Sequence, residues 1–298
     1  MIPPFPSYQS RTVSIDGVSV HFLCGGHGTP LVLVHGLGSS AGVEFYYNLE
    51  ALAAVHCVYA VDLPGFGRSD KPSIDYTIEF FVRVLRDFLD AQGLDKVALM
   101  GVSLGGRIAV GFALQFPQRV ARLILVDALG VGVPRRVLAY SFLLARGIGE
   151  LALSGTARAL RRMNPRLIRR LWGWYLSRPG SIEQILSDDR IANHREMLEM
   201  PAYRAAYLSA LRSVAGMRRV RDGVLVEDRL GDLSMPTLLV WGRHDHIFPP
   251  SHAEEAARRI PDAGFEIFED SGHTPQMEEP ERFNQLVLGF LSRSSAGG

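Results

Sequence analysis

The chain has 298 residues, 47% of them hydrophobic and 21% charged, with a net charge of +1. That length can bury one large core or two modest ones, and that composition excludes a disordered or collagen-like chain. A near-neutral balance gives no footprint for nucleic acid, and two cysteines, Cys24 and Cys57, give no disulfide framework and are expected as buried free thiols.

The opening stretch from Met1 to Val13 has no basic start followed by an apolar run, so no secretory leader is expected and a cytoplasmic protein is. The most apolar long window, Val137 to Leu153, carries Arg146 and Glu150, so no transmembrane segment is expected either. All of the 32 cationic residues are arginine except Lys71 and Lys96. From Gly130 to Leu233, 18 arginines stand against 10 acidic residues, a balance of +8 beside −7 for the rest of the chain. Such asymmetry marks an inserted unit of different character.

Taken in order, residues 12–15 and 18–23 alternate as a hairpin about Asp16-Gly17. Leu31 to Val34 reads as a fully apolar strand running into His35-Gly36-Leu37-Gly38, and residues 41–54 read as a helix. A strand over 56–61 ends in Asp62-Leu63-Pro64-Gly65-Phe66-Gly67-Arg68-Ser69. Residues 76–91 have helical spacing, with Phe80, Phe81, Val84, Leu85 and Phe88 on one side. An apolar strand at 97–100, a turn and a helix through Leu114 follow, then a strand over 120–126 closing on Asp127. Strand and helix alternate throughout, so the sheet is expected to be parallel with helices on both faces, and ligands to sit at its carboxyl edge. At Gly130 the alternation stops. From 131 to 232 the pattern is helical and Arg-rich, broken by Pro165, Pro179 and Pro201, which predicts a helical cap over 130–233 inserted in a core made of 1–129 and 234–298. The sheet resumes at 236–242 and 264–268, and a helix over 280–291 closes the chain.

The stretch Gly101-Val102-Ser103-Leu104-Gly105-Gly106 carries the chemistry. It turns a buried strand sharply into a helix with one serine at the apex, and the glycines two before and two after let strand and helix approach. Ser103 is then expected above the strand's carboxyl end, with a helix N-terminus behind it suited to an oxyanion. Read alone, the same pattern also fits a Ser/Gly connection in another doubly wound protein.

A serine hydroxyl needs a histidine to take its proton and a carboxylate to orient that histidine. His273, in Ser271-Gly272-His273-Thr274-Pro275 between the last strand and the last helix, has the right place. His244, His246 and His252 read as solvated loop residues, and His35 as a brace for the loop it opens. Asp245 and Asp127 both follow core strands and both can reach a histidine above the sheet, whereas Asp62 reads as tying down its own Pro-Gly-Phe-Gly loop.

The ordered set Gly101-x-Ser103-x-Gly105, Asp245, His273, together with His35-Gly36, the segment 62–69, Trp241-Gly242-Arg243-His244-Asp245 and Gly272-His273-x-Pro275, resembles the α/β-hydrolase family over almost the whole chain. The resemblance implies an α/β-hydrolase fold, a mostly parallel eight-stranded sheet with helices on both faces and an inserted helical cap. It favours Asp245 as the acid, because in this layout the acid follows the seventh core strand, and it assigns the oxyanion hole to the backbone amides of Leu37 and Leu104. An aspartate stands where Ser103 does in haloalkane dehalogenases and epoxide hydrolases, which argues against both. Meta-cleavage hydrolases, which split carbon–carbon bonds, look similar overall, but usually carry Asn before the serine and Trp after the histidine, where this chain has Val102 and Thr274.

The expectation is therefore a cofactor-free, metal-free serine hydrolase of the carboxylesterase or lipase-like kind, acting through an acyl-enzyme on a small-molecule ester with a fairly apolar acyl or alcohol part. Carbon–carbon hydrolysis of a meta-cleavage product stands as the alternative, and a ligand receptor without turnover on the same fold as another. Trp172, Trp174 and Tyr175 line an acyl pocket or simply form the cap's own core. The +8 balance of the cap either draws anionic substrates or a weak peripheral membrane contact, or reflects arginines that solvate helix faces.

Overall fold

In the computed structural model, residues 5–132, 141–172, 182–216, 221 and 223–293 are described. Eight strands form one sheet in the order β1-β2-β4-β3-β5-β6-β7-β8. They are β1 (Tyr8–Ile15), β2 (Val18–Gly25), β3 (Thr29–Val34), β4 (His56–Val61), β5 (Val97–Val102), β6 (Val120–Val126), β7 (Thr237–Gly242) and β8 (Ala263–Phe268). Only the β1–β2 and β2–β4 pairings are antiparallel; from β4 across to β8 every pair is parallel. This is the α/β-hydrolase sheet that the motifs implied.

Apolar alternation decides which face each side chain joins. Val32, Val34, Leu99, Leu123, Leu125, Leu239 and Trp241 enter one buried cluster, while Leu31, Leu33, Met100, Ile124, Val126, Leu238 and Val240 enter the other. Both faces are therefore covered, as a parallel sheet requires. On the first face lie α3 (Ile78–Ala91) through Phe81, Val84 and Phe88, and α4 (Leu104–Gln115) through Ile108 and Phe112. The second face is covered by α1 (Ala41–Glu44), α2 (Leu49–Ala53) and the last helix (Pro280–Ser292), which contributes Phe283, Val287 and Phe290. The Thr77 hydroxyl caps α3 by accepting from Phe80 N at 3.2 Å, an interaction worth about 1 kcal/mol.

The single helix expected over 41–54 is two. The chain turns at 45–48, where the buried Asn48 side chain donates to Gln276 O at 3.0 Å and to Asn284 Oδ1 at 2.9 Å. Local helical spacing loses there to bonds with a segment 228 residues away. Two other expectations shift. Cys24 and Cys57 are free but half-buried rather than buried, and His252 is not solvated but buried on the helix Ser251–Arg259, beside Gly132.

Between β6 and β7 the described residues form helices α5 (Ser141–Leu144), α6 (Ile148–Arg162), α7 (Pro165–Trp172), α8 (Ile182–Ile185), α9 (Asp188–Glu199) and α10 (Pro201–Val214). They are not walled off from the sheet's core: Ala157, Leu160, Ile168, Ile191, Leu198 and Tyr203 join the same cluster as the sheet's first face. Arg107 of α4 fastens the returning chain, donating to Val224 O at 2.6 Å and Gly223 O at 2.9 Å. Among the described residues no helix is long and apolar enough to cross a membrane.

Candidate active site

Three neighbouring strand ends make the site. Ser103 follows β5, Asp127 follows β6 and Asp245 follows β7, and their backbones are laced together: Ser103 N donates to Val126 O at 2.9 Å and Asp127 N to Val240 O at 3.0 Å. Ser103 sits at φ 53°, ψ −114°. A non-glycine residue held there is strained, and the surroundings enforce it. A Cβ on Gly101 would strike the Gly105 carbonyl, and one on Gly105 would strike the Val34 carbonyl. The loop after β3 runs directly over the serine, since a Cβ on Gly36 would lie 3.3 Å from the Ser103 Cβ. His35 braces that loop from below, with Nδ1 on Gly36 O at 2.7 Å and Nε2 accepting from Leu63 N at 3.0 Å.

His273 and Asp245 are in contact. Nδ1 of His273 lies 2.7 Å from Asp245 Oδ2, with both residues buried. The other oxygen of Asp245 accepts from Ile247 N at 2.7 Å and Phe248 N at 3.0 Å. Burial alone would raise the Asp245 carboxyl, but the charge and hydrogen bond of His273 and the two amides hold it below its ordinary value. An ionised Asp245 must accept, so Nδ1 carries the proton and Nε2 is left as the basic nitrogen. The loop bearing His273 is strapped by the buried Glu278, which accepts from Gly272 N at 2.8 Å and from the Thr274 hydroxyl at 3.2 Å. Trp241 Nε1 donates to Phe248 O at 3.0 Å and fixes the Asp245 loop in turn.

Asp127, the other candidate acid, is also in the cluster: its carboxylate, that of Asp245 and the His273 ring offer atoms within 4.8 Å of one another. It is fully buried, and Oδ1 accepts from Gly242 N at 3.1 Å. Burial and the neighbouring Asp245 charge push its carboxyl well above the usual carboxylate range. Two like charges this close in a dry site oppose one another, so the pair is pushed apart, Asp127 upward and Asp245 downward. The trio has metal-ligand residue types, but both oxygens of Asp245 are already engaged by N–H donors.

Leu104 is the first residue of α4, so its amide has no acceptor within the helix, and Leu37 lies on the loop over Ser103. Leu37 also borders a cavity of about 240 Å³. Its walls come from the core through Val43, Glu44, Thr274 and Met277, and from the inserted helices through Leu160, Ile168, Ile185, Arg190, Ile191 and Met197. Trp174 and Tyr175 lie outside the described residues, as does the side chain of Trp172.

The residue that sequence reasoning missed is Arg190. It is 6% exposed, stacks over Tyr46 at 4.5 Å and Tyr47 at 4.8 Å, and donates through Nη1 to Ile185 O at 2.8 Å. The Tyr47 hydroxyl bonds the guanidinium and the Glu44 carboxylate stands nearby, while Nη2 is buried without an acceptor. Burial lowers the guanidinium's pKa, and an arginine keeps its charge even so. A signal was present: Arg190, His194 and Leu198 recur at four-residue spacing and so share one face of α9.

The sequence pattern of the α/β hydrolase fold family matches residues 29–280. The chain belongs to that family. Over 286 residues it is 33% identical to an uncharacterised protein of Mycobacterium tuberculosis, covering 96% of this chain and 81% of that one. It is 32% identical over 269 residues to a 2-hydroxy-6-oxononadienedioate/2-hydroxy-6-oxononatrienedioate hydrolase of Paraburkholderia phymatum, covering 88% of this chain and 87% of the relative. Among solved structures, a thermophilic esterase from Thermogutta terrifontis superimposes with a TM-score of 0.71 at 28% identity, covering 95% of this chain and 98% of the esterase. This α/β hydrolase thus has relatives of both kinds, carbon–carbon hydrolases and esterases.

Proposed function

We propose that this chain is a serine hydrolase of the carbon–carbon kind, cleaving an acidic 2-hydroxy-6-oxo-dienoate, with Ser103, His273 and Asp245 as its triad. The observation that carries the acidic substrate is Arg190: a buried guanidinium on the cavity wall, with Glu44 and the Tyr47 hydroxyl nearby and Nη2 still without an acceptor, can take a carboxylate, the planar anion it matches best. The Paraburkholderia relative, named for dioic acids, points the same way. This moves the substrate away from the apolar ester favoured on sequence alone.

In this reading His273 Nε2 removes the Ser103 proton as Oγ attacks the ketone carbonyl, and the Leu37 and Leu104 amides hold the oxyanion. The bond to the neighbouring carbon breaks and that carbon takes the proton from His273; water, deprotonated by the same nitrogen, then bonds to the acyl carbon, the bond to Ser103 Oγ breaks, and Oγ takes the proton back as the acid leaves. The inserted residues 130–233 act as the cap, roofing the serine and supplying Arg190. Ester cleavage needs the same machinery with the proton delivered to oxygen, and Val102 and Thr274 favour it as the second reading. A peripheral contact of the Arg-rich cap with anionic lipid belongs to either reading; Ile148, Leu151, Leu167 and Leu171 are exposed on α6 and α7.

A panel of a 2-hydroxy-6-oxo-dienoate, p-nitrophenyl esters of short and long acids and a lactone, run on the protein and on Ser103→Ala, tests this. Turnover of the dienoate that Ser103→Ala abolishes supports the reading. Ester turnover with no dienoate turnover replaces it with the second one. Fluorophosphonate labelling at Ser103 without turnover of any member points to a receptor.

A further inference from the structure

A second serine, histidine and aspartate stand in a row at the β1–β2 end of the sheet. His21 Nδ1 lies 2.8 Å from Asp62 Oδ2, and His21 Nε2 lies 2.8 Å from Ser10 Oγ. The sheet register brings them together: Ser10 pairs with Leu23 and Thr12 with His21, so Ser10 and His21 are diagonal neighbours on one face of the β1–β2 hairpin. Asp62 follows β4, and its amide donates to His21 O at 2.9 Å.

The protonation of this row is settled by its buried end. Asp62 is 2% exposed, and burial would raise its carboxyl, but His21, the nearby His35 ring and the Arg68 amide hold it below its ordinary value. Its oxygens accept from Ala41 N at 2.7 Å and Arg68 N at 2.9 Å as well as facing His21. A carboxylate so placed accepts a hydrogen bond from Nδ1–H, which leaves Nε2 to accept one from the Ser10 hydroxyl. His21 is buried, whereas Ser10 is exposed at the outer strand of the sheet.

The row opens on a cavity of about 450 Å³ bordered by Phe5, Tyr8 and Arg68 as well as by its own three residues, and Ser40, Gly67, Asn193 and Met197 stand between it and the cavity beside Leu37. The exposed Arg68 donates through Nη1 to Ser10 Oγ at 3.4 Å, so a cation borders the oxygen at the mouth of this cavity. Bracing the loop after β4 explains Asp62 and His21. It does not explain why an exposed hydroxyl is aimed at the basic nitrogen, beside a guanidinium, in a partly aromatic hollow.

We infer that Ser10 is a second activated nucleophile, with His21 as its base and Asp62 orienting that base, able to accept an acyl group from activated carboxylic esters such as aryl esters. Ser10 Oγ bonds to the acyl carbon and its proton passes to His21 Nε2. The bond from acyl carbon to aryl oxygen breaks, and the leaving phenolate takes that proton. Water, deprotonated by the same nitrogen, then returns free Ser10 and the carboxylic acid.

The test uses the full chain with Ser103→Ala, which removes the other nucleophile, treated with a fluorophosphonate whose phosphorus forms a stable bond to serine as fluoride leaves. Modified peptides are located by mass spectrometry, and Ser14, exposed on the same strand, serves as the internal standard. The expected result is one adduct on Ser10, formed about 100-fold faster than on Ser14, the lower range of what a positioned base supplies. It is lost in Ser10→Ala/Ser103→Ala, whose surface substitution leaves the melting curve unchanged. Labelling of Ser10 no faster than Ser14 overturns the inference and makes the row a brace. Neither outcome touches the reading of Ser103, which is absent from both proteins.

Discussion

Replacing Arg190 by methionine separates the two substrate readings. Methionine keeps an unbranched stem for the Tyr46 and Tyr47 rings, so what is removed is the cation and its donors. A hydrogen bond to a charged group is worth about 1.5–3 kcal/mol, and at about 1.4 kcal/mol per decade that is roughly a 10- to 150-fold loss in kcat/KM for an acidic substrate. A neutral ester draws nothing from the free Nη2, so its kcat/KM should stay within about 3-fold. The substitution also removes the bond to Ile185 O and two cation–π contacts, which together are worth about 1–3 kcal/mol of stability, so the melting temperature should fall by a few degrees without loss of the folded state. The assay is steady-state kinetics on one dienoate and one p-nitrophenyl ester with the same preparation, so any loss of active protein scales both rates alike. Equal losses on the two would refute the idea that Arg190 binds substrate and leave it a structural cation.

Asp127 makes the proposed role of Asp245 unusually easy to probe. Without a substitute, an Asp245→Asn change should cost about 10⁴-fold in kcat. With a second carboxyl so near His273, the loss should be smaller, and adding Asp127→Asn should bring it to the full value; equal rates for single and double variants would show that Asp127 cannot take over. Asp127→Asn alone should change stability with pH. The folded protein keeps this proton while the unfolded chain releases it above about 3.9, so the wild type loses stability as pH rises from there, and the asparagine variant does not. Thermal melts should therefore show the variant gaining on the wild type as pH rises above about 4, and a constant gap would contradict a raised Asp127 carboxyl. Gly105→Ala should prevent folding or cost several kcal/mol by denaturant titration, because its Cβ would meet the Val34 carbonyl, whereas Gly155→Ala, with open space around it, should be neutral or stabilising. Vesicles with anionic lipid should bind the protein at low salt if the Arg-rich helices meet membranes, and a lack of binding there removes that part of the proposal.

Much of this was legible in the chain because the signals were local or ordered. Leu31 to Val34 and Leu123 to Val126 are apolar on both faces, which only a strand covered on both sides requires, and the sheet buries them so. Ser103 announced itself through glycines whose absent Cβ atoms leave room for Val34 and Gly105 carbonyls. Residues that act through distant partners were not legible. Asn48 breaks a helix by bonding to residues 276 and 284, and nothing in the spacing of 41–54 shows that. Arg190 was lost among arginines that do face solvent, since composition counts a buried cation and a solvated one alike. Choosing between Asp127 and Asp245 from the residues alone was not possible, because both strands end at the same edge. The contrast between them is one of environment: two amides and an imidazole around Asp245, one amide and a like charge around Asp127.

That contrast also bears on why the site holds a strained serine without collapsing. The φ of 53° at Ser103 and of 41° at Asp127 put two non-glycine residues in the left-handed region on adjacent strand ends. Each such residue costs on the order of 1–3 kcal/mol and persists only where neighbours over-determine it. Here they do so reciprocally: Ser103 O accepts from Leu129 N at 3.0 Å, just beyond Asp127, while Asp127 Oδ1 accepts from Gly242 N at 3.1 Å at the head of the Asp245 loop. Strain at Ser103 is thereby tied through Asp127 to the strand that carries Asp245. A change at Asp127 should accordingly reach Ser103 by way of the backbone as well as through the charge beside His273.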